Sequence, residues 1–574
     1  MENYEVLPPS PGKHNMDNYD EYCKNFTWDI VEKEFSWYTT GKVNIAYEAI
    51  DRMVDEKGKG ATPAIQYYDG KNETVVTFAE LKAQSNKFAN VLAKLGITKG
   101  ERVFLFIPRS PEMLISFAGI VKAGCIAGPL FEAFMEEAVK DRLNDSAAVA
   151  IVTIAGQKNR IKKDEIPSLK HVIVIGDDEA NLAPYEISYE KAMAEASDVF
   201  EPVWLAKDDP MFLLYTSGST GKPKGVLHTH EIMTGMYHTM RISQDVKDGD
   251  VFWCTADPGW ITGVSYSVWG PWLVGIPTII VGGRFTPDNW YHALEKYGVT
   301  NWYSAPTAFR MLAAAGEDAP KNYNLKLRHI TSVGEPLNPE VIMWALKAFN
   351  VRVHETFFMT ETGVNMICCY PSEPIRVGSM FKAIPGVECA ITDEDGKVLP
   401  PLQMGNLSLK KGWPGMMKAI WNNPEKFNEY FANEPWFISG DQAYMDEDGY
   451  VWFQGRNDDV IKTAGERVGP FEVESKLIEH PAVLESGVIG KPDEIRGNII
   501  KAFIVLAPGY TWSEELGEEL KKYVKTGLAA HAAPREIEVV DKLPKTRSGK
   551  IMRRVLKAQD AGLPVGDLST LEDD

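Results

Sequence analysis

The sequence predicts an α/β protein with a large N-terminal domain of helix-covered mixed β-sheets and a small α+β C-terminal domain. Its 574 residues are too many for a single hydrophobic core. Short apolar, β-branched runs alternate with segments of helical periodicity, which is typical of largely parallel sheets covered by helices. Near residue 456 this alternation changes, and the hundred or so residues that remain are enough for a small separate domain.

The strands of the large domain are predicted from their apolar and β-branched composition. They are RVFLFIP (102–108), AVAIVT (148–153), HVIVIG (171–176), TIIVGG (278–283), NWYSAP (301–306) and HITSVGEP (329–336). The clearest helical patterns are FAELKAQSNKFANVLAKLG (78–96) and PEVIMWALKAFN (339–350).

The C-terminal region is predicted to hold two or three strands and as many helices. The polar, turn-prone RNDD stretch (456–459) is the predicted hinge. We therefore expect the domains to span residues 1–457 and 458–574.

Composition and charge exclude several classes of protein. The chain is 44% hydrophobic and 25% charged, and its formal net charge of −19 argues against a general nucleic-acid binder. Six cysteines without a C-x-x-C spacing favour reduced thiols in a cytoplasmic enzyme over disulfides or a zinc site. His228 and His230 are two residues apart, which does not place them on one helix face, so we expect them to be caps or packing residues and not a metal pair.

No segment is predicted to enter a membrane. The polar, acidic N-terminus does not resemble a signal peptide. The most apolar run, MLISFAGIVKAGCIAGPLFEAF (113–134), carries Lys122 and several glycines, which indicates a buried helix leading into a strand. We expect a cytoplasmic protein with no membrane partner.

The stretch YTSGSTGKPKG (215–225) has the composition of a phosphate-binding loop. Its glycines allow backbone N–H groups to approach a ligand, its hydroxyl groups add donors, and Lys222 and Lys224 add positive charge. It is not a Walker motif, because Pro223 follows Lys222. The loop is predicted to lie between the apolar run MFLLY (211–215) and a helix over HEIMTGMYH (230–238). Composition alone leaves a solvated turn as an equal alternative.

The complete eleven-residue string resembles the signature of the AMP-forming adenylate synthetases, which include acyl-CoA synthetases, peptide synthetase adenylation domains and luciferases. Further stretches resemble the same superfamily in the right order: SVGEPLNPE (332–340), TFFMTETG (356–363), WFISGDQAYMDEDGYVWFQGR (436–456), DDVIKTAGERVGPFEVE (458–474) and LPKTRSGKIMRR (543–554). The stretches that resemble the short bacterial acetyl-CoA synthetases are WCTADPGWITG (253–263), WYSAPTAFRM (302–311) and PKTRSGKIMRR (544–554). The resemblance covers nearly the whole chain.

This resemblance implies an enzyme that uses ATP, Mg²⁺ and CoA to activate a carboxylate. The acid would attack the α-phosphorus of ATP to form an acyl adenylate, and the CoA thiol would then displace AMP. Acetate is the first expectation. Propionate or another short or branched acid, a carrier-loading or luciferase-like enzyme, and a non-catalytic nucleotide-binding protein are the alternatives.

The resemblance also assigns the nucleotide-binding residues. The pyrophosphate part of ATP would be held by Thr216, Ser217, Gly218, Ser219, Thr220, Gly221, Lys222 and Lys224. The adenine pocket and its surroundings would be formed by Gly334, Glu335, Pro336, Glu355, Thr356, Phe357, Phe358 and Met359, with Phe357 stacking on the base. The remaining roles would be filled by Thr360 at the α-phosphate, Glu361 as Mg²⁺ ligand, Asp441 and Arg456 at the ribose, and Arg467 at the phosphate.

The family's catalytic lysine matches Lys550 in the small domain. Its ammonium would stabilise charge in the adenylation transition state, and its acetylation by a protein acetyltransferase, reversed by a deacetylase, would switch the enzyme off. In the family this domain rotates between the two half-reactions, with the hinge at the position of Asp458. The loop Ala464-Gly465-Glu466 would then line the pantetheine tunnel, and Arg535 is either a CoA-phosphate ligand or a surface arginine.

The acyl pocket implied by the resemblance is lined by Trp260, Ile261, Thr262, Val333 and Phe358. Phe358 stands where acetyl-CoA synthetases have a tryptophan, which opens space, and Ile261 stands where valine is commoner, which fills space. One methylene in such a pocket is worth only about 1–3 kcal/mol of discrimination. The choice of acid therefore stays open, as does the choice between a monomer and a homodimer.

Overall fold

The computed structural model describes residues 5–216, 223–283, 285–463, 466–493, 496–546 and 551–565. The strands are β1 (Val6–Leu7), β2 (Pro63–Tyr68), β3 (Glu73–Thr77), β4 (Arg102–Phe106), β5 (Ile126–Pro129), β6 (Ala150–Ile154), β7 (His171–Ile175), β8 (Glu186–Ser188), β9 (Pro210–Thr216), β10 (Lys224–Thr229), β11 (Phe252–Cys254), β12 (Thr278–Val281), β13 (Asn301–Ser304), β14 (His329–Ser332), β15 (Val353–Phe357), β16 (Ile367–Cys368), β17 (Ile375–Arg376), β18 (Lys382–Ala383), β19 (Cys389–Thr392), β20 (Gly405–Lys410), β21 (Ala419–Ile420), β22 (Trp436–Met445), β23 (Val451–Arg456), β24 (Ile461–Thr463), β25 (Glu466–Val468), β26 (Val483–Asp493), β27 (Gly497–Leu506) and β28 (Glu536–Val539).

Helices cover these strands and connect most of the parallel ones. The α-helices are α1 (Tyr19–Asn25), α2 (Trp28–Glu32), α3 (Trp37–Thr40), α4 (Arg52–Asp55), α5 (Phe78–Lys94), α6 (Pro111–Lys122), α7 (Glu136–Ser146), α8 (Tyr189–Glu195), α9 (Ile232–Ile242), α10 (Gly270–Leu273), α11 (Pro287–Lys296), α12 (Pro306–Ala314), α13 (Pro339–Phe349), α14 (Pro424–Glu429), α15 (Pro470–Ile478), α16 (Glu514–Gly527) and α17 (Arg553–Asp560). Local sequence fixes several starts. Before α5, the Thr77 hydroxyl accepts from the Glu80 N–H at 3.2 Å and the Glu80 carboxylate accepts from the Thr77 N–H at 2.8 Å, which forms a capping box.

Two mixed sheets form the centre of the large domain. The first has the order β21-β10-β9-β5-β4-β6-β7-β8 and is parallel from β9 to β8. The second has the order β11-β13-β14-β15-β16-β18, and its first four strands are parallel. The predicted α/β class with mixed, helix-covered sheets is confirmed, and each of the six predicted strand runs contains a strand.

The segment around the glycine-rich loop differs from the prediction. β9 and β10 are antiparallel, with Thr216 paired to Lys224, so the loop joins two strands. The expected helix over 230–238 is wrong at its start, because α9 begins at Ile232. Val226 and Leu227 are buried, and their burial against β9 favours a strand immediately after the loop.

The apolar run at 113–134 folds as expected from its lysine and glycines. Its first ten residues lie in α6, which is followed by β5. Lys122 is fully buried and pairs with Asp51 at 2.7 Å inside the core. Among the described residues, no helix is both long and apolar enough to cross a membrane.

The C-terminal residues form a small unit with its own core. β26, β27 and β28 make one sheet, and α15, α16 and α17 accompany it. Its apolar cluster includes Val473, Val488 and Ile500. Counting β24 and β25, the described part of this region has five strands, so the expected two or three was too few. The boundary between residues 457 and 458 stays a prediction.

Candidate active site

Three distant parts of the chain meet at the carboxylate of Glu361. Lys224 opens β10 and places its ammonium 2.7 Å from Glu361 Oε1. Tyr430 follows α14 and donates its hydroxyl to the same oxygen at 2.8 Å. Lys224 Nζ also contacts the Tyr430 hydroxyl and lies 4.9 Å from the centre of its ring. Only 4% of Glu361 is exposed, so its carboxylate is largely removed from solvent and is stabilised by these two donors.

The electrostatics of this cluster keep Glu361 ionised. Burial alone would raise the pKa of its carboxyl, but the Lys224 ammonium and the Tyr430 hydroxyl together hold that pKa below its ordinary value. Burial and the neighbouring carboxylate raise the pKa of the Tyr430 phenol, so the hydroxyl keeps its proton and donates. Around Glu361 a buried negative charge therefore lies next to the Lys224 cation.

The turn that carries Thr360 and Glu361 is fixed by its own hydrogen bonds and by His228. The Met359 N–H donates to Thr362 Oγ1 at 3.0 Å, and His228 Nε2 donates to the Thr360 carbonyl at 2.6 Å. Burial lowers the pKa of His228 to about 4, so the imidazole is neutral at physiological pH. His230 is also fully buried, and its Nδ1 accepts from the Ile45 N–H at 3.1 Å, so both histidines are packing residues in the described structure.

The predicted pyrophosphate loop is described only at its two ends. Ser217, Gly218, Ser219, Thr220, Gly221 and Lys222 lie outside the described residues. Thr216 and Lys224 flank the loop as partners across the hairpin. The Thr216 hydroxyl is buried and has no hydrogen-bond partner among the described residues, so it is available to a ligand or to the loop itself.

The predicted adenine loop lies beside the carboxyl ends of β14 and β15. Gly334 has a φ of 96°, a left-handed conformation that glycine adopts without strain. The Glu335 carboxylate anchors the loop, because it accepts from Thr307 Oγ1 at 2.8 Å and from Arg310 at 2.6 Å. Nearby, Glu355 accepts from the Leu337 N–H at 3.4 Å, and burial raises its pKa to about 8. The carboxyl of Glu355 is therefore mostly protonated at neutral pH.

The other predicted nucleotide residues continue from the same strand. Thr356 is buried and donates its hydroxyl to the Ser332 carbonyl at 2.8 Å. Phe357 and Met359 are half-buried, so each keeps an exposed face at the edge of the site. Pro336 is also half-buried, in the loop after Gly334.

The predicted ribose residues are neighbours across an antiparallel ladder. Asp441 lies in β22 and pairs with Arg456 at the end of β23, so it is a strand residue and not a turn residue. Arg456 Nη1 lies 3.2 Å from Asp441 Oδ1. The Asp441 charge is the main reason that the pKa of Arg456 is raised, and Glu361 and Tyr430 contribute to the same shift. Arg456 therefore lies close enough to the Glu361 cluster to interact with it electrostatically.

The predicted acyl-pocket residues do not all pack against one another. Phe358 and Val333 belong to one apolar cluster, in which the Phe358 ring meets Tyr266 edge-on at 5.6 Å. Ile261 lies in the adjacent main core, and the half-buried Thr262 follows it. Trp260 packs against Phe131, with ring centres 5.7 Å apart. The structure joins Phe358 to Val333 but places Ile261 in a different cluster.

The predicted C-terminal site residues are only partly described. Asp458 lies in the turn between β23 and β24, where its carbonyl accepts from Lys557 Nζ at 2.9 Å. Glu466 and Arg535 are exposed. Lys550, Ala464, Gly465 and the side chain of Arg467 lie outside the description. The catalytic, hinge and CoA roles stay predictions.

Sequence reasoning missed Tyr430 and Tyr266 and gave His228 no function. The Tyr266 hydroxyl donates to Thr239 Oγ1 at 2.9 Å and accepts from the Asn365 N–H at 2.9 Å, which fixes the ring behind Phe358. These residues contact partners far away in the chain. No local motif or spacing in the sequence distinguishes them from ordinary core residues.

Comparisons with known proteins identify the family of the chain. The model of the AMP-binding enzyme family matches residues 54–421, and that of the AMP-binding enzyme C-terminal domain matches residues 472–550. An acetyl-coenzyme A synthetase of Bacillus subtilis (strain 168) is 57% identical over 573 residues, with 100% of both chains covered. An acetyl-coenzyme A synthetase of Pyrobaculum aerophilum is 39% identical, covering 94% of this chain and 86% of that protein.

Solved structures give the same result. An acyl-CoA synthetase of Brucella canis matches with a TM-score of 0.74 and 35% identity, covering 95% of this chain and 99% of that one. The anthranilate CoA ligase AuaEII, solved with anthranoyl-AMP, matches with a TM-score of 0.82 and 30% identity over 91% of this chain and 98% of that one. The family model matches residues 54–421, which is more than half of the chain, and a relative is 57% identical from end to end. The chain therefore belongs to the adenylate-forming family of AMP-binding enzymes.

Proposed function

We propose that this protein is an AMP-forming acetate–CoA ligase. It converts acetate and ATP to acetyl-AMP and pyrophosphate, and then converts acetyl-AMP and CoA to acetyl-CoA and AMP. The observation that carries the proposal is the buried Glu361 carboxylate, held by Lys224 at the end of the glycine-rich loop and close to the Asp441–Arg456 pair. The full-length similarity to proteins named acetyl-coenzyme A synthetase supports acetate as the acid.

In the first half-reaction an acetate oxygen attacks the α-phosphorus, and the bond from that phosphorus to the bridging oxygen of pyrophosphate breaks. The protein has to hold two anions in line and neutralise the charge that accumulates on the leaving group. Lys224 and the residues of the loop before it are the proposed contacts of the β- and γ-phosphates. Thr360 lies next to Glu361 and is the proposed contact of the α-phosphate. Arg467 and Lys550, from the C-terminal unit, would supply further positive charge to the reacting groups.

Glu361 is suited to bind a Mg²⁺ ion that is also bound by the phosphates of the nucleotide. Its carboxylate oxygens are hard donors, and Mg²⁺ in nucleotide sites takes one or two carboxylates together with phosphates and waters. The described residues contain no group of three or more His, Cys, Asp or Glu side chains able to hold a metal, which fits a shared site better than an all-protein cage. When bound, Mg²⁺ would neutralise phosphate charge. Glu361 would orient it.

In the second half-reaction the CoA sulfur attacks the carbonyl carbon of acetyl-AMP, and the bond between that carbon and the phosphate oxygen breaks. The C-terminal unit would rotate about Asp458, so that Glu466 and its neighbours line the pantetheine path and Trp260 moves aside. Arg535 is exposed and could reach a phosphate of CoA. Acetylation of Lys550 by a protein acetyltransferase would remove the cation that adenylation needs.

Four of the six free cysteines are buried, which suits the reducing cytoplasm.

The test is carboxylate-dependent exchange of pyrophosphate into ATP, run with acetate, propionate, butyrate and isobutyrate, followed by thioester formation with CoA. A maximum with acetate supports the proposal. A maximum with propionate or a larger acid supports a related short-chain ligase, because Phe358 would then set the pocket size. Absence of exchange with every acid would refute adenylation.

A further inference from the structure

Tyr430 connects the two charged groups of the proposed Mg·ATP site. Its hydroxyl donates to Glu361 Oε1 at 2.8 Å, and Lys224 Nζ lies 2.7 Å from that same oxygen. Lys224 also contacts the phenol, through the hydroxyl and over the ring. One tyrosine therefore contacts both the carboxylate proposed for the metal and the ammonium proposed for the phosphates.

The position of Tyr430 is fixed by packing and by its backbone. Its ring stacks on Phe437 with centres 5.4 Å apart and an angle of 5° between the planes, and Phe437 is fully buried. Its carbonyl accepts from the Ile438 N–H at 2.8 Å, which ties the segment after α14 to β22. The hydroxyl is therefore presented at a fixed point, whereas the long side chain of Lys224 can move.

The shared oxygen explains what the hydroxyl is for. When Mg·ATP enters, its phosphates would attract the Lys224 ammonium, and the contact of that ammonium with Glu361 would be exchanged for contacts with the nucleotide. The buried carboxylate would then lose one of its two described donors, and Tyr430 is the one that does not move. A phenylalanine would fill the same space on Phe437 but would leave that oxygen without its fixed donor.

Resting on the proposed function, we infer that Tyr430 is a positioning residue: its hydroxyl holds the Glu361 carboxylate for Mg²⁺, and its ring holds Lys224 for the phosphates. It acts on the binding of the metal–nucleotide complex and not on the acid or on CoA.

The test is Tyr430→Phe, which keeps the stack on Phe437 and the ring under Lys224 and removes one hydroxyl. Mn²⁺ binding, measured by electron paramagnetic resonance with a non-hydrolysable ATP analogue, is expected to weaken by roughly 10-fold. In ATP–pyrophosphate exchange, KM for Mg·ATP should rise by a similar factor. kcat should change by less than about 3-fold, and KM for acetate should not change.

The chain offers a matched control on its surface. The Tyr38 hydroxyl donates to Asp29 at 2.7 Å, and Lys33 pairs with Asp29 and lies 5.7 Å from the Tyr38 ring, so the same three groups recur away from the site. Tyr38→Phe should leave Mn²⁺ affinity and every kinetic constant unchanged. If it weakens Mn²⁺ binding as much as Tyr430→Phe does, the effect is not specific to Glu361 and the inference fails.

A double-mutant cycle with Glu361→Gln tests the route of the effect. If Tyr430 acts through the carboxylate, Tyr430→Phe will have little further effect on Mn²⁺ binding in the Glu361→Gln background. Unchanged Mn²⁺ affinity in Tyr430→Phe, with an unchanged melting temperature, overturns the inference. A variant in which Mn²⁺ affinity, kcat and the affinities for Mg·ATP and acetate all fall equally, together with the melting temperature, overturns it as well. Failure of the wild-type protein to exchange pyrophosphate is a separate result that refutes the proposed function, because Mn²⁺–nucleotide binding is measured independently.

Discussion

Phe358 should set the length of the acid that the enzyme accepts, and replacing it should change that length in a predictable direction. Its half-buried ring lies in one cluster with Val333 and meets the fixed ring of Tyr266 at 5.6 Å. Phe358→Ala would open the space in front of Tyr266 to additional methylenes. Each methylene that becomes buried contributes about 0.8 kcal/mol, which is roughly a 4-fold increase in kcat/KM.

The assay is ATP–pyrophosphate exchange with acetate and butyrate in competition. Butyrate carries two more methylenes than acetate, so the ratio of kcat/KM for butyrate over acetate should rise about 15-fold in Phe358→Ala. Phe358→Trp should move the preference the other way and lower the propionate-to-acetate ratio by about 4-fold. Both variants should change KM for ATP less than Phe357→Ala does, because Phe357 is the predicted contact of the base.

The neighbouring Phe357 provides the control. It is the last residue of β15 and is predicted to contact adenine, so Phe357→Ala should raise KM for ATP and leave the acid preference unchanged. If Phe358→Ala leaves the butyrate-to-acetate ratio within 2-fold or so of wild type, or if Phe357→Ala changes that ratio equally, the assignment of Phe358 to the acyl pocket is refuted.

Three further predictions concern single groups. Asp441→Asn should raise KM for ATP and weaken AMP binding in calorimetry by about 10- to 100-fold, since hydrogen bonds to a charged group are lost and Arg456 loses its partner; wild-type affinity would refute the ribose role. Glu355 keeps its proton in the folded state up to a pKa of about 8, whereas the unfolded chain loses it near 4.5, so wild-type stability should fall across this window by at most about 1.4 kcal/mol per pH unit. Glu355→Gln lacks this loss, so its melting-temperature advantage should grow from about pH 5 to about pH 8, and a constant difference would contradict the assignment. Lys122→Met leaves Asp51 buried without its cation and should destabilise the protein by about 3–5 kcal/mol in denaturant unfolding, while the double variant with Asp51→Leu should recover most of that; equal losses would show that the buried charge is not the cause.

Local sequence patterns were sufficient where each element buries its own apolar face. The predicted runs at 102–108 and 329–336 contain β4 and β14, and the pattern at 78–96 contains α5 with its capping box. The prediction was weaker for β10, because a short apolar run next to a helical pattern can fold either way until a neighbouring strand pairs with it. The C-terminal strands were undercounted for the same reason: β26 carries glycine and charged residues, and only its pairing along β27 defines it as a strand.

The motifs also predicted most of the nucleotide site, but not its internal connections. Glu361, Asp441 and Arg456 were expected at the nucleotide from their motifs; the structure pairs Arg456 with Asp441 and brings it within electrostatic reach of Glu361, and their roles stay predictions. Tyr430 could not be found in this way, because a tyrosine in KFNEYFANEP is indistinguishable from a packing residue until β10 and the turn after β15 lie against it.

The sequence by itself therefore determined the fold class and the family, and it predicted the residues that contact the phosphates, since each of these is written in local periodicity or in a contiguous motif. Only the tertiary structure decided that Lys224 and Tyr430 share one oxygen of Glu361, that His228 fixes the Thr360 backbone, and that Tyr266 stands behind Phe358. These are contacts between segments up to about two hundred residues apart, and the physical reason they escape the sequence is that burial and hydrogen bonding act on neighbours in space and leave no spacing rule along the chain.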